Sequence, residues 1–434
     1  MLPATIHPRP AMARKISVVA SSLVLVSMIT LLLTTPYVNA LPSTVWSKTY
    51  GGPLGDKVYA MVKTQDGGYA LVGTTNSFGS GVINAWLVKT NAEGDMQWNQ
   101  SYSGLEQSIA DSLVQTSDGG YALTGYTYLM TEGGPSAWIV KTDSNGTLSW
   151  NQTYTELGSA AAYCIIQTSD GGYAIVGKSN NIGNGETEAW LAKMSFNGSL
   201  EWYKTYGGSQ NDAFYTVVQN SDGGYAMSGD TTSFGSGNTS SLWLVKTDSL
   251  GSALWNQTYS GSSNYIAGSM VKAGDGGYAL IGTSQQSDDD FAIVKTDSSG
   301  NPQWNQTYSG LNVDDAISGI QTNDGGYAIV GVTNASNPAY AKAWLVKTDS
   351  SGTVQWNQTY GGSGQNVVGA IVQAGEGGYV LAGYTNSTGA GAEDFWLIKT
   401  DATGIVPEFP GLFMLPLLAV AGVLVAVLVR KNGA

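Results

Sequence analysis

The chain has 434 residues, a formal net charge of −13 and 58 glycines, and 42% of its residues are apolar. Residues 41–408 carry all 32 acidic side chains against 14 lysines, and they contain no arginine. Such an acidic surface repels the phosphates of nucleic acids and of anionic lipids, which excludes nucleic-acid binding. The one histidine, His7, lies near the N-terminus, so the rest of the chain lacks the usual general base and the most common metal ligand.

The first 40 residues predict a secretory signal peptide. Arg14 and Lys15 precede an apolar run over residues 16–33, and small side chains lead up to Ala40. A basic flank, an apolar core and a small-residue exit are typical of this signal. The alternative is an uncleaved N-terminal membrane anchor.

Seven copies of one tetrapeptide organise the region between residues 41 and 405. Six copies read Asp-Gly-Gly-Tyr and the last reads Glu-Gly-Gly-Tyr, at spacings of 49 to 53 residues. The copies begin at Asp66, Asp118, Asp170, Asp222, Asp275, Asp324 and Glu376. A period near fifty in a β-rich chain is typical of propeller blades or of a solenoid, because one repeat is too small to bury its own apolar faces.

Each repeat holds four apolar runs separated by clusters of Gly, Asp, Asn and Ser, which predicts four strands and no helix. One strand of each set carries a tryptophan, at Trp46, Trp98, Trp150, Trp202, Trp255, Trp304 and Trp356. The strand before it carries an aromatic residue, at Trp86, Trp138, Trp190, Trp243, Phe291, Trp344 and Trp396. The final repeat ends without a tryptophan strand, and Trp46 precedes the first repeat, so the Trp46 strand can complete the last blade. We therefore predict an all-β fold over residues 41–405, a seven-bladed β-propeller of four-stranded blades closed into a ring.

Residues 406–434 predict a linker, a transmembrane helix and a basic tail. The run from Phe409 to Val429 is mostly apolar and long enough to span a bilayer as a helix, and Arg430 and Lys431 follow it. The basic pair favours a cytoplasmic C-terminus. We therefore expect an extracellular propeller at the cell surface, anchored in the plasma membrane by this helix.

Three segments carry resemblances to known families. Residues 407–410, Pro-Glu-Phe-Pro, with the apolar helix and basic end, resemble the PEF-type C-terminal sorting signals of archaeal surface proteins, which implies processing by a sortase-like membrane enzyme. The segment from Lys347 to Trp356 resembles the tryptophan-docking motif of quinoprotein-type propellers, which implies that a tryptophan of one blade packs against its neighbour. Residues 44–404 as a whole resemble the Asp-Gly-Gly-Tyr repeats of uncharacterised bacterial and archaeal surface proteins.

Ten Asn-x-Ser/Thr sequons are candidate N-glycosylation sites in an extracellular protein. They begin at Asn99, Asn145, Asn151, Asn197, Asn238, Asn256, Asn305, Asn334, Asn357 and Asn386. Several recur because the repeat recurs, so their number alone is weak evidence for glycosylation.

Two of the four connections in each repeat are short and nearly invariant, whereas the other two vary and share the opposite face of the disc. The variable stretches are residues 76–84, 128–136, 180–188, 232–241, 334–342 and 386–393, with 106–111 and its equivalents. Binding usually evolves in variable loops on a rigid scaffold. The candidate ligand contacts on this face are Phe78, Tyr128, Phe234 and Tyr340.

Other noticeable residues favour structural roles. Cys164 has no second cysteine to pair with and is predicted to fill a tight position in an inner strand. The lysine that recurs in each repeat is predicted to pair with a turn aspartate, and a cationic ring for an anionic ligand is the alternative. Residues 288–290 and 314–315 are acidic but lack a calcium-loop pattern, so we expect solvated acidic loops.

The sequence favours a non-enzymatic module of the cell surface that binds a surface protein or a glycan, or that forms part of a cell envelope. We expect no catalytic residue, cofactor or metal. The alternative is an extracellular carbohydrate-active enzyme that uses a pair of carboxylates.

Overall fold

The structure is a computed structural model that describes residues 45–406, apart from residues 81, 104–106, 130–133, 181, 184–185, 236–238, 261–263, 286–287 and 376. Within these residues the chain forms 28 β-strands in seven four-stranded sheets, with one 3-10 turn at Thr155–Leu157. The predicted signal peptide, PEF-like segment and transmembrane helix lie outside the described residues. The described part contains no helix that is long and apolar enough to cross a membrane.

Each sheet is one blade, and the first strand, β1 (Trp46–Tyr50), belongs to the last blade. Blade 1 comprises β2 (Asp56–Lys63), β3 (Tyr69–Thr75), β4 (Asn84–Thr90) and β5 (Met96–Tyr102). Blade 2 comprises β6 (Gln107–Gln115), β7 (Tyr121–Leu129), β8 (Gly134–Thr142) and β9 (Leu148–Tyr154). Blade 3 comprises β10 (Ser159–Gln167), β11 (Tyr173–Asn180), β12 (Glu188–Met194) and β13 (Leu200–Tyr206).

The remaining blades follow the same plan. Blade 4 comprises β14 (Asp212–Gln219), β15 (Tyr225–Thr231), β16 (Ser241–Thr247) and β17 (Ala253–Tyr259). Blade 5 comprises β18 (Asn264–Lys272), β19 (Tyr278–Gln285), β20 (Asp289–Thr296) and β21 (Pro302–Tyr308). Blade 6 comprises β22 (Asp314–Gln321), β23 (Tyr327–Thr333), β24 (Lys342–Thr348) and β25 (Val354–Tyr360). Blade 7 comprises β26 (Asn366–Gln373), β27 (Tyr379–Thr385), β28 (Asp394–Lys399) and β1.

The ring is closed by the N-terminal strand. Strand β1 pairs antiparallel with β28, from Trp46 opposite Lys399 to Tyr50 opposite Phe395. The first strand of each blade contacts the first strand of the next, and β26 of blade 7 likewise contacts β2 of blade 1. The prediction of seven four-stranded blades closed by the Trp46 strand is therefore confirmed.

The hydrophobic core lies between adjacent blades. Strands β3 and β4 are buried at every residue, because each face of a central strand is covered by a neighbouring blade. Between blades 7 and 1, for example, Leu71 and Trp86 pack with Val380 and Phe395. A strand covered on both faces is apolar along its length, which explains why the Tyr-Ala-Leu-Val and Trp-Leu-Val segments show no alternation.

The Asp-Gly-Gly turn is held by the recurring lysine. Asp66 Oδ1 accepts a hydrogen bond from the Gly68 amide at 3.1 Å, and Lys89 Nζ donates to Asp66 Oδ2 at 2.7 Å. Burial acts to raise the pKa of Asp66, but the hydrogen bonds from Lys89, a threonine and the amide together lower it to about 2. The equivalent pairs are Lys141–Asp118, Lys193–Asp170, Lys246–Asp222, Lys295–Asp275 and Lys347–Asp324. Pairing of the lysine with a turn aspartate is confirmed for these six blades.

The tryptophan of each last strand docks on a glycine in the next blade. Gly146 has a φ of +79°, and a Cβ there would lie 2.5 Å from the Trp98 ring. The Tyr102 hydroxyl donates to the Gly146 carbonyl at 2.6 Å. The other docking pairs are Trp46–Gly94, Trp150–Gly198, Trp202–Gly251, Trp255–Gly300, Trp304–Gly352 and Trp356–Gly404. The packing of a tryptophan against the neighbouring blade, which the docking-motif resemblance implied, is therefore confirmed at all seven junctions.

Candidate functional site

The first strand of every blade contains a β-bulge at the same position. Each shift in register lies between the residues on either side of the bulged one, for example between Val58 and Ala60 in blade 1. The bulged residues of blades 1 to 7 are Tyr59, Asp111, Tyr163, Tyr215, Gly268, Ile317 and Gly369. A bulge redirects a side chain. Most positions of the repeat are conserved between blades, whereas this one varies from glycine to tyrosine and aspartate.

The bulged residues are neighbours around the axis of the ring. A Cβ on Gly369 would lie 3.6 Å from the Tyr59 carbonyl and 3.7 Å from Ile317 Cγ2. The bulges of blades 1, 6 and 7 are therefore in contact with one another. The rings of Tyr163 and Tyr215 lie 5.2 Å apart. Because the first strands surround the axis, these residues line the central channel.

A second set of non-repeating residues adjoins the bulges. They follow the glycine in the middle of each second strand, at Thr74, Tyr126, Lys178, Asp230, Thr283, Val332 and Tyr384. Lys178 Nζ lies 5.8 Å from the centre of the Tyr163 ring. Strand β2 starts at Asp56 and β3 ends at Thr75 on the variable face. The residues that follow the glycines therefore lie in the half of the channel that opens on that face.

We call Tyr59, Asp111, Tyr126, Tyr128, Tyr163 and Tyr215, with Lys178 and Asp230, the axial cluster. It occupies blades 1 to 4, and Tyr59 and Tyr128 are 37% and 39% exposed, whereas the other members are half-buried. The channel wall opposite is lined by small or aliphatic bulge residues of blades 5 to 7. The site is therefore asymmetric in an otherwise repetitive ring.

Asp111 is the most unusual member of the axial cluster. Its Oδ2 atom is buried and has no hydrogen-bond partner among the described residues. Burial raises the pKa of Asp111 to about 7. Burial, and then the charge of Asp111, raise the pKa values of Tyr126 and Tyr163. A buried acceptor without a donor is costly, so Asp111 is suited to a ligand that brings a donor.

Asp230 is the second carboxyl group of the cluster. It accepts a hydrogen bond from Ser240 Oγ at 3.2 Å, and hydrogen bonding to Tyr215 acts to lower its pKa. Burial raises the pKa of Asp230, although the charge of Lys178 opposes the shift. Asp230 therefore has a cation nearby, whereas Asp111 has none.

The four aromatic residues predicted as ligand contacts do not come together. Phe78 and Phe234 occupy equivalent loop positions, and each packs over the tryptophan of its own blade, at 5.1 Å from Trp86 and 5.5 Å from Trp243. Tyr340 is 63% exposed in the loop of blade 6.

Tyr128 lies in strand β7 rather than in a loop, 5.8 Å from Tyr126, and is the one predicted contact that belongs to the axial cluster. The predicted variable stretch 106–111 is also corrected, because residues 107–111 belong to β6. The bulge in the inner strand β6, rather than a loop, therefore places Asp111 at the channel.

The prediction of solvated acidic loops at residues 288–290 and 314–315 is wrong for most of these residues. Asp289 and Asp290 lie in β20, and Asp314 is fully buried at the start of β22, where it accepts a hydrogen bond from the Gly310 amide at 2.5 Å. The Asp314 carboxylate thus serves as the acceptor for a backbone amide of the loop between blades 5 and 6. In the described part of the chain, no group of three or more His, Cys, Asp or Glu side chains is arranged to hold a metal ion.

Two pairs of acids meet at junctions between blades. A Cβ on Gly51 would lie 1.9 Å from Asp394 Oδ1 and 2.9 Å from Asp56 Oδ2. Glu188 and Asp212 approach each other in the same way across the glycine at position 207. All four side chains are between 0% and 3% exposed, so neither pair opens on a cleft that admits a substrate.

Cys164 follows the bulge of blade 3 and packs against the core shared with blade 4. Burial raises the pKa of its thiol, which makes it less reactive. This is the packing role that the sequence predicted.

The sequons lie mostly on the outer rim. Eight of the ten asparagines are exposed, Asn334 is half-buried, and Asn238 lies outside the described residues. Five of the exposed ones lie on the outermost strands, at Asn99, Asn151, Asn256, Asn305 and Asn357. Glycans there would cover strand edges that otherwise invite association.

No protein-family model matches the chain, and no curated protein matches its sequence. Among solved structures, it is similar to the WD40 domain of Pan2 from Neurospora crassa, with a TM-score of 0.50 and 10% identity over 82% of this chain and 90% of that one. It also matches a periplasmic gluconolactonase of Pseudomonas aeruginosa, with a TM-score of 0.47 and 11% identity over 71% and 87% of the two chains. A protein of unknown function from Bacteroides caccae gives 0.42 and 14% over 69% and 97%. At these identities the Pan2 match shows the fold alone, a β-propeller.

Proposed function

We propose that the protein is a non-enzymatic binding module of the cell surface, which engages a surface protein or a glycan through its variable face. The observation that carries this proposal is the axial cluster, where tyrosine rings lie beside Asp111, whose buried Oδ2 atom has no hydrogen-bond partner among the described residues. Aromatic rings supply large contact areas, and a few convergent polar groups supply orientation, as in most ligand sites.

The proposed location rests on sequence features beyond the described residues. A signal segment over residues 1–40 and an apolar run over residues 409–429 with a basic end imply an extracellular propeller anchored by one helix. Protease added to intact cells should then remove the propeller. A propeller that stays protected on intact cells, yet is cut after lysis, would reverse the orientation.

One feature favours the alternative, an extracellular carbohydrate-active enzyme. The pKa of Asp111, raised to about 7, suits a general acid at neutral pH. Against it, the acids Asp56 and Asp394 at the junction of blades 7 and 1 are fully buried, whereas glycosidases flank an open cleft with their two carboxylates.

The test is a screen of the purified full-length protein against glycans and surface proteins, run beside hydrolysis of the same glycans. We expect binding without turnover, and loss of binding in Tyr163→Ala. Tyr203→Ala, on the outer strand β13, is the matched control outside the axial cluster and should retain most of the affinity. Turnover that disappears in Asp111→Asn would establish the enzyme instead.

A further inference from the structure

We propose that the axial cluster binds an ammonium group, with Asp111 as its counter-ion and the rings of Tyr59 and Tyr126 as its walls. This inference rests on the proposed binding function and names the chemistry of the ligand. An ammonium group brings the two things that Asp111 lacks among the described residues: a cation paired with it and a hydrogen-bond donor to its buried Oδ2 atom.

Asp111 has no cation paired with it among the described residues. Among the described residues, the ion pairs of the acidic side chains include no lysine partner for Asp111. The chain has no arginine between residues 41 and 408. A carboxylate withdrawn from water without a cation is unfavourable. A cationic ligand would supply the counter-ion that the protein itself does not.

Tyrosines beside the site already bind ammonium groups of this chain. Lys178 Nζ lies 5.8 Å from the centre of the Tyr163 ring, and Lys57 Nζ lies 5.0 Å from that of Tyr384. These are cation–π contacts, in which the ring face attracts a positive charge. In the described part of the chain, no lysine lies over the rings of Tyr59 and Tyr126, so no cation of the protein competes with a ligand for these two rings.

Two of the seven bulges carry no side chain. They are Gly268 in blade 5 and Gly369 in blade 7, which adjoins Tyr59 of blade 1. A Cβ on Gly369 would meet nothing closer than 3.6 Å, whereas one on Gly268 would lie 2.8 Å from the carbonyls of Ala316 and Ile317. These two bulges therefore add no side chain that would obstruct an ammonium group on a slender chain approaching Asp111 from the variable face.

A primary amine of a lysine side chain, an amino sugar and a quaternary ammonium group share this chemistry. The full-length protein, purified in a non-ionic detergent, is therefore titrated by calorimetry with n-butylammonium, tetramethylammonium and glucosamine. n-Butanol, tert-butanol and glucose serve as neutral counterparts of similar size. We expect each cation that fits to bind at least tenfold more tightly than its counterpart, and the preferred cation identifies the source.

Variants locate the site. Asp111→Asn keeps the shape and removes the charge, and it should weaken cation binding at least tenfold. Gly369→Leu should do the same by filling the channel beside Tyr59, whereas Tyr203→Leu, on the outer strand β13, should leave binding unchanged. Because Asp111 carries its charge above a pKa of about 7, the affinity for tetramethylammonium, whose charge does not depend on pH, should fall about tenfold between pH 8 and pH 6. The groups that face Asp111 are Tyr126 and Tyr163, and their raised pKa values keep them neutral over this range.

Equal binding of cations and neutral counterparts, or cation binding unaffected by both Asp111→Asn and Gly369→Leu, would overturn the inference. The proposed function fails separately. If the glycan or protein found by the screen loses affinity in Tyr163→Ala but is not displaced by any ammonium probe, the binding module stands and the ammonium site does not.

Discussion

Closure of the ring by the N-terminal strand predicts that Trp46→Ala destabilises the propeller as much as the same substitution of a docking tryptophan whose strand directly follows the rest of its blade. The Trp46 ring covers Gly94 of blade 1 and contacts Tyr69 at 6.3 Å between ring centres. Removing a buried tryptophan side chain lowers the free energy of unfolding by about 3–5 kcal/mol. Because Trp46 is partly exposed, we expect a loss of about 3 kcal/mol. For a domain of this size the unfolding entropy converts that loss into a fall in Tm of about 4 °C.

Trp202→Ala is the matched control, because Trp202 docks on Gly251 and contacts Tyr225 at 6.2 Å, but its strand is continuous with its own blade. Differential scanning calorimetry of both variants should give falls in Tm within about 1 °C of each other. A fall of about 4 °C for Trp202→Ala with less than 1 °C for Trp46→Ala would refute closure by β1. The last blade would then be complete without it.

Two further predictions concern the repeated contacts. Gly198 and Gly171 share a φ of +84°, but a Cβ would lie 2.6 Å from the Trp150 ring at Gly198 and meet nothing within 4 Å at Gly171. Gly171→Ala should therefore lower the free energy of unfolding by about 1 kcal/mol because of backbone strain. Gly198→Ala should lower it by about 2 kcal/mol more because the added methyl group displaces the tryptophan. Urea unfolding measures both losses, and equal losses would contradict the docking. Lys141→Met should cost about 1–2 kcal/mol at pH 7, because the largely exposed Asp118 stays hydrated when the pair is lost. Since the pKa of Asp118 is lowered to about 2, its contribution is complete above about pH 4 and is lost as the pH falls through about 2. The wild type and Lys141→Met should converge over that interval, and a constant gap down to pH 2 would count against the pairing.

The sequence alone was sufficient for the blade count and the closure, and its resemblance to the tryptophan-docking motif of quinoprotein-type propellers implied the docking contacts. Each of these depends on local chemistry repeated at a fixed spacing. A glycine with positive φ ends the turn, an aspartate accepts from its amides, and a tryptophan follows at a constant distance. The position of Trp46 before the first repeat then determines which strand is missing from the last blade, because a closed ring leaves no unpaired blade edge.

Only the tertiary structure identified the axial cluster. Tyr59, Asp111 and Tyr163 are 52 residues apart along the chain, and they meet because a bulge turns the same position of successive first strands towards the axis. Comparing the repeats position by position would have revealed that this position varies, but not that the variation faces a channel. The same holds for Asp314, whose burial depends on a loop between blades, and for the packing of Phe78 over Trp86. Which side chains are buried, and which groups they contact, depends on how seven blades pack around one axis, and no single repeat contains that information.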